Sequence, residues 1–240
     1  MSSAKERLIV ALDFHDFADA QNMVRTLGDT VVYYKVGMEL FYAVGQKAVQ
    51  YLKDAGKKVF LDLKIHDIPN TAAGAVTSLA NLGVDMMNVH AGGGFTMMKR
   101  ATETLKEVAG RMGVPCPKLI AVTVVTGINQ NEWEELGQTG NIKGQILRLA
   151  KLAQKAGLDG VVASPQEAAI LRENCGAEFL IVTPGIRPTG SDKGDQSRIA
   201  TPEMAIGSGA SHIVVGRPII RAADPKAAAE DILRQMEVSL

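Results

Sequence analysis

Residues 59–71 read Val-Phe-Leu-Asp-Leu-Lys-Ile-His-Asp-Ile-Pro-Asn-Thr, and the change of character along this stretch decides the fold. Its first half has the unbroken apolar composition of a strand covered on both faces, as in parallel sheets, while its second half is crowded with charge. Residues two apart in a strand share a face, so Asp62 and Lys64 project together, opposite Leu61, Leu63 and Ile65. Asp67 follows just beyond, and Pro69 stops further strand pairing where Asn70 and Thr71 offer caps for a helix. The order is strand, charged rim, helix. An ion pair at a strand end is the everyday reading of two such charges, and exposed pairs contribute only roughly 0–1 kcal/mol. Three charged groups leaving so apolar a strand point instead to a ligand site, because burying them without mutual compensation is costly.

Outward from this stretch, apolar β-branched runs recur at 7–14, 31–37, 58–64, 84–91, 118–126, 158–164, 178–185 and 211–217. Between them, apolar residues fall at three- and four-residue spacing, the period of helices with one buried face. Gly110 reads as the stop of the helix before the fifth strand. Eight strands alternating with helices imply a parallel sheet, and within 240 residues they favour closure into an α/β (β/α)8 TIM barrel, a single domain spanning 1–240. Apolar residues make up 46% and charged residues 22%, with 26 basic against 26 acidic side chains, a balance that suggests neither disorder nor a broad nucleic-acid surface. Cys116 and Cys175 are far apart and read as core thiols, forming neither a zinc spacing nor a disulfide framework. The opening MSSAKERLIV runs straight into a strand without a signal-peptide core, so the expectation is a soluble, cytoplasmic protein.

Barrel enzymes carry function at the C-terminal ends of their strands. Those ends hold Asp13, Lys35, Asp62 with Lys64, His90, Thr126, Ser164, Arg187 and Arg217, whereas the strand starts are mostly plain. After strands seven and eight stand Pro184-Gly185-Ile186-Arg187 and Gly216-Arg217. Loops at these two positions frequently bind phosphate, with backbone N–H groups that glycine leaves approachable and with forked guanidinium donors. The loop 188–201 reads as a lid, with Gln196 as its polar contact. Asp16 suits the N-cap of the helix from Phe17, leaving Asp13 for the mouth. His90 reads as a structural, hydrogen-bonded histidine, because neither His15, His66, His212 nor a cysteine gives it a metal-like spacing. Met86-Met87 and Met97-Met98 read as packing.

Taken together, the motif from Asp62 through Lys64 and Asp67 to Thr71, with Lys35-Val-Gly-Met-Glu-Leu, Thr183-Pro-Gly-Ile-Arg187 and Val215-Gly216-Arg217, closely resembles the orotidine 5'-monophosphate decarboxylases of the bacterial type. The resemblance covers essentially the whole chain. It implies decarboxylation of orotidine 5'-monophosphate to uridine 5'-monophosphate (UMP) in pyrimidine biosynthesis, without metal or cofactor. It also implies that Lys35, Asp62, Lys64 and Asp67 form an alternating charge network, with Asp67 and Thr71 lent to the partner's site in a homodimer. Asp13 and Lys35 are then ribose-hydroxyl ligands, Thr126 a pyrimidine contact, and Arg187, Gln196, Gly216 and Arg217 the phosphate grip. Lys64 is the candidate proton donor to C6. A sugar-phosphate enzyme such as a hexulose-phosphate synthase shares the aspartate–lysine–aspartate motif but holds magnesium through a carboxylate where this chain has Lys35. A non-catalytic phosphate-binding barrel would leave Asp62, Lys64 and Asp67 unused.

Overall fold

The computed structural model describes residues 3–188 and 200–239. Strands β1 (Leu8–Ala11), β2 (Tyr33–Gly37), β3 (Lys58–Ile65), β4 (Met86–His90), β5 (Lys118–Val122), β6 (Gly160–Val162), β7 (Leu180–Thr183) and β8 (His212–Val215) pair in parallel, each with the next, and β8 closes on β1. The helices are α1 (Ala4–Arg7), α2 (Phe17–Leu27), α3 (Met38–Val44), α4 (Lys47–Asp54), α5 (Pro69–Ala80), α6 (Gly94–Met112), α7 (Gln130–Glu135), α8 (Ile142–Lys155), α9 (Ala168–Cys175), α10 (Pro202–Gly207), α11 (Arg217–Ile220) and α12 (Pro225–Glu237). All eight apolar runs carry a strand, and the (β/α)8 barrel expected from their alternation is the fold observed.

Strand alternation divides the apolar side chains into two sets. Ile9, Tyr33, Phe60, Met86, Ile120, Val182 and Val214 fill the barrel interior. Val10, Tyr34, Leu61, Met87 and Ala121 face outward into the layer shared with the helices, where Met97 and Met98 of α6 are also buried. The interior strand positions turn polar toward the C-terminal rim: Tyr33 is followed by Lys35, Phe60 by Asp62 and Lys64, Met86 by Asn88. An apolar plug therefore forms the floor on which the charged groups stand.

Local chemistry sets the element ends. Asp16 accepts from the Ala18 N–H at 2.6 Å and caps α2, as expected. Asn70 and Thr71 do not cap α5, which starts earlier, at Pro69, with no side-chain cap; the fixed φ of proline suits the first helical position, so the turn needs no later start. Gly110 lies inside α6, and Gly113, at φ 65°, takes the left-handed cap. Cys175 is buried, but Cys116 is exposed because it sits in the loop before β5 and not on a strand. No helix among the described residues is long and apolar enough to cross a membrane.

At the opposite end of the barrel, His212 opens β8 with its ring edge-on to Tyr33, centroids 6.0 Å apart. Burial, then the nearby Arg7 and Lys58 charges, push its imidazole down to about 4. Between pH ~6.5, the ordinary histidine value, and 4, the unfolded chain takes up a proton that the folded chain refuses. Stability from this site is therefore complete above pH ~6.5 and lost as pH falls through about 4, an effect of at most about 3 kcal/mol. Thermal melts of His212→Gln across that window should fall less steeply with acidification than those of the wild type; parallel slopes would show that His212 does not contribute.

Candidate active site

The charged groups form a line across the barrel mouth. Lys35, on β2, places Nζ 3.1 Å from Asp13 Oδ1 and 3.4 Å from Asp62 Oδ2. The other oxygen of Asp62 accepts from Lys64 Nζ at 2.8 Å and from Asn88 Nδ2 at 2.7 Å. The order is Asp13, Lys35, Asp62, Lys64, with opposite charges adjacent throughout. Burial alone would push the Lys35 ammonium down, but Asp62 and Asp13 outweigh it and hold the group above its ordinary value. Lys35 is therefore a fixed positive charge. Gly37 makes room for it, since a Cβ there would stand 2.6 Å from Lys35 Nζ.

Lys64 is held in an unusual backbone state. Its φ is 54°, the only positive value at a non-glycine among the described residues, and such a conformation costs a residue with a Cβ about 1–2 kcal/mol. The β3–β4 register shifts between Leu61 and Ile65, an irregularity that re-aims side chains. In place of a ladder bond, the Lys64 N–H donates to the side-chain oxygen of Asn88 at 2.8 Å.

Two adjoining cavities open beside this line. One, of about 220 Å³, is lined by Lys35, Asp62 and Lys64 on one side and by Phe60, Val122, Val124 and Thr126 among others. The second, of about 180 Å³, is lined by Asp13, Lys35, Gly185, Arg187, Gly216 and Arg217 among others. Lys35, Pro184 and Val214 border both. A flat, largely apolar ring with a few polar edges fits the first chamber, and an anion fits the second, where two guanidinium side chains meet two glycine loops. A Cβ at Gly216 would stand in van der Waals contact with Asp13 Oδ2, at 3.4 Å. The two ends of the 188–201 loop are joined by a parallel bridge between Ile186 and Ala200, with the Arg187 N–H donating to the Ala200 carbonyl at 2.9 Å. Gln196 and most of the 188–201 loop lie outside the described residues.

Of the residues singled out in the sequence, Asp13, Lys35, Asp62, Lys64, Thr126, Arg187, Gly216 and Arg217 converge on these two chambers. Asp67 and Thr71 do not. Both are exposed, and Asp67 Oδ1 accepts from the next residue's N–H, that of Ile68, at 2.7 Å. Ser164 caps the turn after β6 by accepting from the Gln166 N–H. His90 stacks on His66, centroids 4.9 Å apart, and accepts at Nδ1 from the Gly92 N–H at 3.0 Å; burial, then the His66 and Lys64 charges, lower its pKa. Asn88 escaped the sequence reading. The signal available was a buried amide at an interior position of β4, between Met86 and His90, where packing alone calls for an apolar side chain.

The model of the family described as orotidine 5'-phosphate decarboxylase / HUMPS matches residues 6–232. The chain is 50% identical over 236 residues to the orotidine 5'-phosphate decarboxylase of Moorella thermoacetica, covering 98% of this chain and 94% of that one. It is 50% identical over 230 residues to that of Idiomarina loihiensis, covering 96% and 97%. The crystal structure of the Lactobacillus acidophilus orotidine 5'-phosphate decarboxylase matches with a TM-score of 0.83 at 44% identity, covering 95% of this chain and 98% of that one. With the barrel, the interleaved charges and these matches in agreement, the chain belongs to the orotidine 5'-phosphate decarboxylase / HUMPS family.

Proposed function

We propose that this protein decarboxylates orotidine 5'-monophosphate to UMP in pyrimidine biosynthesis, as one barrel unit over 1–240, a cytoplasmic homodimer that uses neither metal nor cofactor. The observation that carries this reading is the continuous line of Lys35, Asp62 and Lys64, with contacts of 3.4 and 2.8 Å, beside a ring-sized chamber. The pyrimidine occupies that chamber with Thr126 at its edge, the ribose hydroxyls meet Asp13 and Lys35, and the phosphate lies against Gly185, Arg187, Gly216 and Arg217, with Gln196 closing over it.

Breaking the bond from C6 to the carboxylate carbon releases CO2 and leaves the electron pair on C6 in the ring plane, where the ring π-system delocalises it poorly. A cation fixed at that position stabilises the developing charge, and Lys64 both supplies it and delivers the proton that ends on C6. Asp62 lies beside the substrate carboxylate and disfavours it more before bond cleavage than after its charge has left as CO2. Lys35 holds Asp62 from one side, and Asp67 of the other protomer faces the Lys64 ammonium from the other, with Thr71 beside it. At ~4 Å and an effective dielectric near 20, each such contact is worth about 4 kcal/mol in magnitude, enough to govern a barrier. Phosphate binding, remote from C6, supplies the energy to close the loop and exclude water.

A magnesium-dependent sugar-phosphate reaction fits less well, because the Lys35 ammonium occupies the oxygens of Asp13 and Asp62 that a cation would need. Purified protein incubated with orotidine 5'-monophosphate in excess EDTA should yield UMP and CO2 in equal amounts. No UMP, or UMP only after magnesium is restored, would refute the reading.

A further inference from the structure

We propose that Asn88 is a positioning residue for the decarboxylation, a single amide that fixes both the carboxylate orientation of Asp62 and the left-handed backbone of Lys64. The inference rests on the functional reading above and extends it to a residue that touches no substrate. Asn88 is 1% exposed, and its two polar ends face different partners. Its Nδ2 donates to Asp62 Oδ1 at 2.7 Å, and its Oδ1 accepts from the Lys64 N–H at 2.8 Å. The reverse amide orientation would face oxygen with oxygen and N–H with N–H, so only this one satisfies both ends.

The location explains why an amide is needed. The ladder between β3 and β4 is in register at Leu61 with Met87 and again at Ile65 with Val89, with a shift between them. Lys64 stands inside that interruption with φ 54°, so its N–H has left the position a regular ladder would give it. A strand N–H left unpaired in the interior is costly, and Asn88 takes the place of the missing main-chain acceptor. The same side chain then ties the irregularity to Asp62, so the carboxylate and the ammonium-bearing residue, both on β3, are set by one rigid group on the neighbouring strand β4. A core role alone would be met by an apolar side chain, as at its in-register neighbour Ile120.

Asn88→Asp and Asn88→Ala separate the two bonds. An aspartate is nearly isosteric, and when protonated it reproduces both, its hydroxyl donating to Asp62 and its carbonyl accepting from Lys64. When ionised it sets a second carboxylate against Asp62. The groups that face it are Asp62 and Lys64 from β3, with Lys35 of β2 behind Asp62; β5 offers the apolar Ile120, and His90 is the next interior residue on β4. The expected result at pH 8 is a fall in kcat of about 10²-fold in both variants, with UMP affinity within about threefold of wild type. As pH is lowered toward 5, the ratio of Asn88→Asp to wild-type kcat at each pH should rise, while the Asn88→Ala ratio stays flat. A kcat for Asn88→Asp near the wild-type value at pH 8, or an Asp-to-wild-type ratio independent of pH, would overturn the assignment. Hydrogen exchange at the Lys64 amide, measured by mass spectrometry without substrate, should speed up in Asn88→Ala; an unchanged rate would also overturn it. These readings are distinct from failure of the functional reading, which would show as wild-type protein that releases no CO2.

Discussion

Lys64→Ala is expected to lower decarboxylation of orotidine 5'-monophosphate by at least about 10⁴-fold, because in the proposed mechanism one substitution removes both the cation beside C6 and the proton donor. UMP binding should survive. UMP has no carboxylate at C6, the chamber proposed for its phosphate is not lined by Lys64, and the walls of the other chamber from Phe60, Val122 and Thr126 do not depend on the ammonium. Asp62 would lose one partner but keep Lys35 at 3.4 Å and Asn88 at 2.7 Å, so the line should not collapse. Single-turnover decarboxylation together with a UMP titration checks both halves. Turnover within tenfold of wild type would remove Lys64 from the chemistry, and loss of UMP binding along with turnover would make it a binding residue.

The second large effect concerns Asp67. In its own chain it is exposed and turns its carboxylate to the adjacent Ile68 N–H, while Ile68 itself is 67% exposed. A carboxylate and a large apolar side chain presented together on an exposed turn suit a self-complementary contact, in which each protomer offers the same patch to the other. If Asp67 meets the partner's Lys64, Asp67→Ala leaves that ammonium with one neighbouring carboxylate where it had two, and turnover should fall by about 10²–10³-fold, the scale of removing one preorganised charge or donor. For a solvated surface carboxylate with no role in catalysis, the same substitution would leave the rate unchanged within about twofold.

Much of this was legible in the sequence because period and composition report burial directly. Eight apolar runs separated by helical spacing specify the barrel, and the polar residues closing those runs mark its functional end. Asp62 and Lys64 were read onto one face from their two-residue spacing alone, and their side chains meet at 2.8 Å. What stayed hidden depends on geometry that pattern does not encode. The φ of 54° at Lys64 is a break in strand regularity, and a strand reading assumes the regularity that the site departs from. Asn88 is invisible to an apolar/polar pattern for a related reason, since its meaning lies in two partners on another strand. Helix starts and stops failed where a stronger local constraint prevailed, as when Pro69 opened α5 ahead of Asn70 and Thr71. The charge count over 59–71 places Asp67 with Asp62 and Lys64, but a role for Asp67 and Thr71 in a partner's site comes only through the resemblance, because nothing within a single chain brings them to these chambers.

The central claim is a charge line completed by a second copy of the chain, and mixing two inactive variants tests it most directly. Asp67→Ala and Lys64→Ala protomers, differently tagged, unfolded together and refolded, give a mixed dimer that can be purified through both tags. If the line crosses between protomers, one of the two sites in that dimer has an intact Lys64 from one chain and an intact Asp67 from the other, and activity should return to about half the wild-type value. A confirmed mixed dimer no more active than its parents would contradict the shared site.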